Sequence, residues 1–193
     1  MKRRNRKSRV RCSICGEPFS LDSNSKKSMA DPFDVYCSVP CLVSAIESTL
    51  PLDMDKCVKS GIFLPHDPEP NGLECYSTLL GRSFRSFFEV VVAEVLTLKY
   101  GLTLYYEPFE IRVQIGSKER IYVPDFFVDT YGVFVEVKGE WRNGGKRKCT
   151  TTLKQLGPQR LVLIGSYMRD AFLEEKKSWK NIEDTSEPCR QTG

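Results

Sequence analysis

Four cysteines stand in two short pairs, Cys12 with Cys15 and Cys37 with Cys41, giving a C-x2-C and, 21 residues later, a C-x3-C. Two chelating knuckles of this spacing bring four thiolates to one point, the tetrahedral sulfur set that zinc prefers where its role is structural. All four positions are filled by protein, which leaves no open site for water. The metal is therefore expected to supply folding energy to a segment too small to fold alone. The remaining cysteines, Cys57, Cys75, Cys149 and Cys189, stand far apart. No hydrophobic leader is visible at the amino end, so a reducing, cytoplasmic setting is expected and these four read as free thiols.

The first knuckle reads CSICGEPF, with Gly16 suited to a tight turn; the second reads YCSVPC and runs into Leu42, Val43, Ala45 and Ile46, which open a helix. Over residues 10–50 this resembles the treble-clef-like zinc fingers of the FCS/MYM type. Such fingers bind nucleic acid in some proteins and other proteins elsewhere, so the resemblance leaves the partner open.

Charge is distributed unevenly. Lys2, Arg3, Arg4, Arg6, Lys7, Arg9 and Arg11 place seven of the 29 basic residues ahead of the first cysteine, with no acid among them. That leaves 22 basic against 25 acidic residues in the rest of the chain. The excess of positive charge is an arm. A block of this density stays solvated and is suited to neutralising phosphates by displacing condensed counterions. With 40% hydrophobic and 28% charged residues over 193 positions, the chain is expected to be globular rather than collagenous or disordered. No run of eighteen apolar residues suggests a membrane span.

Between residues 51 and 81 the chain carries Pro51, Gly61, Pro65, Pro68, Pro70 and Gly72, and reads as a turn-rich linker. The only histidine, His66, lies in it and is expected to face solvent. A single histidine so placed excludes Ser-His-Asp triads, paired-histidine ribonuclease sites and HNH-type nuclease sites. Any catalysis falls to carboxylates and lysine.

From Ser83 to Tyr100, Phe84, Phe87, Phe88, Val91, Val95 and Leu98 recur at helical intervals, with Gly101 as a stop. Leu102–Glu107, Phe109–Ile115, Ile121–Val128 and Val133–Lys138 read as strands. A basic helix over Asn143–Leu156, a strand at Leu161–Gly165 and a helix over Tyr167–Lys180 follow. If Asp129–Gly132 form a hairpin loop, Val128 pairs with Val133 and Asp125 faces Glu136, with β-carbons about 5 Å apart. Period-two alternation puts Glu136 and Lys138 on the same side as Phe134, away from Val133, Val135 and Val137. Opposed anions in strands this apolar call for a positive charge between them. Mg²⁺ or Mn²⁺ fits, because hard cations take oxygen ligands and join carboxylates to substrate phosphates. A one-residue slip would place the carboxylates on opposite faces.

The sequences VPDFF and EVKGEW, with ten residues between Asp125 of the first and Glu136 of the second, resemble the PD-(D/E)xK nuclease signature, with Asp125, Glu136 and Lys138 in the motif positions. FRSFFE at Phe84–Glu89, then LYYEPF, PDF and VFVEVKGEW are similar in order and spacing to the phage endonuclease I family of Holliday-junction resolvases. The resemblance covers residues 82–165. It implies a restriction-endonuclease-like α+β core, a central mixed sheet flanked by helices. It also implies a metal-dependent, junction-selective DNA endonuclease acting as a homodimer, in a host cytoplasm if phage-encoded. Periodicity leaves Glu89 and Glu94 level. The family motif selects Glu89 as third acid and adds the backbone carbonyl of Val137 as a metal ligand; Glu94 reads as a solvated helix charge.

The layout expected is a basic arm over 1–11, a zinc-binding domain over 12–50, a linker over 51–81 and a nuclease domain over 82–193. Trp141, Arg142, Lys146, Arg147 and Lys148, then Lys154 and Arg160, are placed to hold phosphates beside the cut, and Arg85 is assigned the same role. Two alternatives stay open on sequence: a site-specific endonuclease of the homing or restriction kind, guided by the finger, and a non-catalytic zinc-finger DNA-binding protein.

Overall fold

The structure is a computed structural model that describes residues 8–21, 33–49, 54–67, 75–139, 145–157 and 160–183. It is a mixed α+β fold. Strands β1 (Ser8–Arg11) and β2 (Pro18–Leu21) form a hairpin, followed by helices α1 (Val39–Glu47) and α2 (Met54–Lys59). Next come β3 (Phe63–Pro65), β4 (Cys75–Ser77), β5 (Arg82–Phe84), α3 (Phe87–Glu94), β6 (Leu104–Tyr106), β7 (Phe109–Ile115), β8 (Lys118–Tyr122) and β9 (Phe126–Val128). The chain ends in β10 (Val133–Lys138), α4 (Gly145–Leu156), β11 (Leu161–Gly165) and α5 (Arg169–Glu183).

The central sheet has the order β11-β10-β9-β6, antiparallel except for the β10–β11 pair, which is parallel and joined through α4. The hairpin has the expected register, Val133 opposite Val128 and Val135 opposite Phe126, with Gly132 at φ 61° closing the turn. The expected Ile121–Val128 strand is two strands. Pro124 has no N–H to give to a ladder, and around it the chain leaves the β3-β7-β8 sheet and enters the central one.

Alternation along β10 divides the core in two. Val133, Val135 and Val137 meet Phe126, Val128, Val162 and Ile164 on a face covered by α1, α3 and α5. Phe134 meets Phe127, Leu161 and Leu163 on the other, beneath α4 and the β3-β7-β8 sheet. Helix α1 brings Leu42 and Ile46, both 0% exposed, into the first cluster beside α3 and α5. Each such side chain contributes about 1.5–3 kcal/mol by leaving water. Tyr167 reinforces the join: its hydroxyl accepts the Tyr36 N–H at 3.1 Å and its ring stacks on Phe19. The cysteine-bearing segment thus shares a core with the sheet.

Several expectations change. The arm does not run free to residue 11, because Ser8–Arg11 pair with Pro18–Leu21; residues 1–7 lie outside the described residues. Nor is the stretch over 51–81 only turns. Phe63, 0% exposed, packs on Phe109 and Phe134 and draws β3 onto the edge of β7, while β4 and β5 pair with each other against α3. Helix α3 starts at the Ser86 cap rather than Ser83, since Arg82–Phe84 are committed to β5. It then widens into a π-turn over Val95–Lys99.

Candidate metal centres

The first centre is built by two short pieces of chain. Cys12 ends β1, the Gly16 N–H returns to the Cys12 carbonyl at 3.1 Å, and Gly16 takes φ 74°, which places Cys15 beside Cys12. Ser13 ties this knuckle to the second piece by its N–H to the Val35 carbonyl (2.8 Å) and its hydroxyl to the Val35 N–H (3.1 Å). Ser38 caps α1 by accepting the Cys41 N–H, which fixes Cys41 in the first helical turn just past Cys37. The four sulfurs lie within 4.8 Å of one another, with Cys15–Cys37 at 3.6 Å and Cys37–Cys41 at 3.7 Å. A tetrahedron with metal–sulfur bonds of 2.3 Å has edges of about 3.8 Å. Cys12, Cys15, Cys37 and Cys41 are thus arranged to bind a metal, consistent with structural zinc. Burial opposes charging Cys12, yet the backbone N–H groups of Cys15, Cys37 and Ile14 outweigh it and bring the thiol down to about 6.

The second centre is acidic and lies at the hairpin. Asp125 and Glu136 are 7% and 1% exposed. Asp125 follows Pro124 where the β9 ladder has not yet begun, and its Oδ2 accepts the Val137 N–H at 2.7 Å. The carbonyl and N–H of a strand residue project to the same edge, so the Val137 carbonyl opens toward the Asp125 side. Lys138 pairs with Glu136 and stands 4.0 Å from Asp125 Oδ2. Tyr122 donates its hydroxyl to Glu136 Oε2 at 2.5 Å. Glu89 enters from α3, accepting the Ser86 hydroxyl (2.7 Å), the Tyr106 hydroxyl (2.9 Å) and the Arg85 N–H (3.2 Å).

Burial, then Glu136 and Glu89, hold the Asp125 carboxyl well above its ordinary range, against the opposing pull of Lys138 and the Val137 N–H. Glu136 is also raised by burial, against the pull of Lys138. Lys138 resists its own desolvation because Glu136 and Asp125 favour the ammonium, and its pKa rises. Three carboxylates and one lysine in a buried site leave an anionic excess, which suits a hard divalent cation. The carboxylate oxygens are less gathered than the sulfurs: among the described residues, the cysteine set is the one cluster placed to hold an ion outright.

Other candidate residues are spent differently. Arg85 lends its guanidinium to Glu107, Nε to Oε1 at 2.7 Å and a second nitrogen to Oε2 at 3.0 Å. Glu94 is not a solvated charge. It is 3% exposed, accepts the Ser77 hydroxyl at 2.7 Å and pairs with Lys176. His66 does not face solvent: Nδ1 lies 3.1 Å from Glu110 Oε1 and Nε2 4.0 Å from Glu107 Oε2. Lys146, Arg147 and Lys148 fall in the first turn of α4, where Lys148 reaches the Ile121 carbonyl at 3.2 Å. Arg160 bonds the Tyr131 and Gly132 carbonyls under the hairpin turn. Arg9 and Arg11 are exposed on β1, and Arg11 bonds the Gly16 carbonyl. Lys2, Arg3, Arg4, Arg6, Lys7, Trp141 and Arg142 lie outside the described residues.

Sequence reasoning missed Tyr122 and Glu107. No periodicity links Tyr122 to Asp125, because the chain changes sheets between them. Glu89, by contrast, carried a local signal: Ser86 and Glu89 form an S-x-x-E helix start. Comparisons with family models, curated proteins and solved structures found no match to the chain.

Proposed function

We propose that this chain is a metal-dependent DNA endonuclease of the PD-(D/E)xK kind, hydrolysing phosphodiester bonds and selective for branched DNA such as four-way junctions. The observation that carries the reading is the constellation of buried Asp125 and Glu136 with partly buried Lys138 at the β9–β10 hairpin. The order α3, β6, β9, β10, α4, β11, with a parallel β10–β11 pair, is in keeping with the restriction-endonuclease-like core that the motif implies.

In this reading Asp125, Glu136 and Glu89, with the Val137 carbonyl, would hold Mg²⁺ or Mn²⁺. Once bound, such an ion supplies charge stabilisation to the phosphate and lowers the pKa of a water. The protein's own part is orientation. The Val137 N–H fixes Oδ2 of Asp125. Tyr122 holds Glu136 by Oε2 and Lys138 pairs with Oε1, the oxygen that a cation would take. Lys138 remains protonated and, once released, donates to a phosphate oxygen on which charge develops, rather than acting as base. The partly exposed first turn of α4, with Arg147 open to solvent, and the basic arm supply sequence-independent phosphate contacts. A homodimer would present two such sites to a symmetric junction.

Purified protein should nick four-way junctions in preference to linear duplex, and only with added Mg²⁺ or Mn²⁺. Asp125→Asn and Lys138→Ala should bind the junction without cutting it. Cleavage that survives both substitutions overturns the assignment; equal cutting of linear duplex removes the branched-DNA preference.

A further inference from the structure

Glu107 is the one non-glycine residue at positive φ (45°) among the described residues. Side chains with a β-carbon are disfavoured there. Its place before Pro108 opposes the conformation a second time, because a residue ahead of proline is steered to extended backbone. Such strain persists only where the surroundings over-determine it, and the surroundings are specific. The Glu107 N–H bonds the Asp125 carbonyl at 2.9 Å, and its carboxylate, 4% exposed, grips Arg85 through two bonds. His66 borders the same carboxylate and donates its N–H to the Pro108 carbonyl at 2.9 Å.

Both ends of this clamp finish on an acid of the candidate site. The Arg85 N–H holds Glu89 Oε2, and Tyr106, the residue before Glu107, holds the same oxygen through its hydroxyl. Asp125 is held by its main chain to Glu107 itself. Glu89 lies on a helix and Asp125 ahead of a strand, so no ladder pairs them directly, and the β6–β9 ladder, which sets Tyr106 opposite Phe126, reaches Glu89 only through a tyrosine side chain. A bidentate carboxylate–guanidinium fork is the geometry that fixes distance and angle together.

We infer that Glu107 is a positioning residue that, through its fork with Arg85, sets the spacing between Glu89 and Asp125 and thereby the affinity of the site for a divalent cation. The inference rests on the metal-dependent reading above.

The test is Mn²⁺ titration calorimetry on the full, zinc-loaded chain in the presence of a four-way junction, alongside thermal unfolding. Glu107→Gln keeps the size and loses the charged fork, and Arg85→Ala removes the other half from a partly exposed side chain. Each should weaken Mn²⁺ binding about tenfold, the usual range for groups that orient metal ligands, and the double variant should lose no more than either alone. Glu107→Gly relieves the backbone strain, so it should be at least as heat-stable as the wild type and still bind Mn²⁺ weakly, a split that a merely structural role would not produce. Unchanged Mn²⁺ affinity in folded Glu107→Gln or Arg85→Ala overturns the inference. A wild type that binds Mn²⁺ but cuts no DNA overturns the nuclease reading alone; a wild type that takes up no Mn²⁺ overturns both.

Discussion

The two centres solve the same electrostatic problem in opposite ways. At the cysteines the protein gathers four sulfurs at metal-site spacing within two pieces of local chain and leaves Cys15 and Cys37 exposed. At the acids, side chains from α3, the β8–β9 connection and β10 are buried, and protein donors already occupy many of their oxygens: Ser86, Tyr106 and Arg85 on Glu89, Val137 on Asp125, Tyr122 and Lys138 on Glu136. The first arrangement has little to offer the fold without an ion. The second is a folded pocket that an ion would enter by displacement. In the reading proposed above, a structural metal and an exchangeable one call for this difference.

Removing zinc should have the largest effect. Structural zinc contributes on the order of 10 kcal/mol of apparent folding energy to small cysteine modules, comparable to the whole stability of an ordinary domain. Because α1 shares its core with α3 and α5, a strong chelator, or Cys12→Ser with Cys15→Ser, should unfold the sheet as well. Calorimetry should show one transition moving down; a finger that melts while the sheet keeps its midpoint would break the comparison. Leu42→Ala probes the same join without touching a ligand and should cost about 2–5 kcal/mol, again in a single transition.

Asp125→Asn should move stability the other way. Asparagine keeps an acceptor for the Val137 N–H and abolishes a buried charge. Since the folded state raises the Asp125 pKa, it binds more protons than the unfolded chain between the two values. Stability therefore falls as pH rises from the unfolded value of about 4 through the raised folded one. The variant should gain about 1–2 kcal/mol at pH 7 to 8, and the gain should vanish below pH 4. Added Mn²⁺ should restore the balance by stabilising only the wild type. Smallest in stability is loss of the arm. Deleting residues 2–7 spares β1, should leave the thermal midpoint in place, and, with five basic side chains lost, should flatten the salt dependence of DNA binding by up to roughly 4.5 units in the log–log slope.

The sequence was most legible where causes are local or strictly periodic. Cysteine spacing located the sulfur cluster, and alternation with a short turn placed β7, β10 and β11 at the expected bounds and the β9–β10 register correctly. Legibility failed where partners come from a distance. His66 looked solvent-exposed among prolines because nothing nearby announces Glu107 and Glu110, which a strand pairing some 45 positions later brings to it. Glu94 looked like a surface charge because Lys176 and Ser77 reach it from α5 and β4. The break at Pro124 was visible as a residue, but its meaning, a change of sheet, depends on β6 arriving to pair with β9.

The hydroxyl of Tyr167 on the Tyr36 amide, and the Phe19 ring laid against it, make the cysteine-bearing segment a poor interchangeable part. Severing the chain near residue 50 would hand each fragment an oily scar: a helix stripped of its seat on one side, a sheet stripped of its cover on the other. The halves should be recoverable only when expressed together, and a reader module grafted in the finger's place would have to bring its own Leu42 and Ile46.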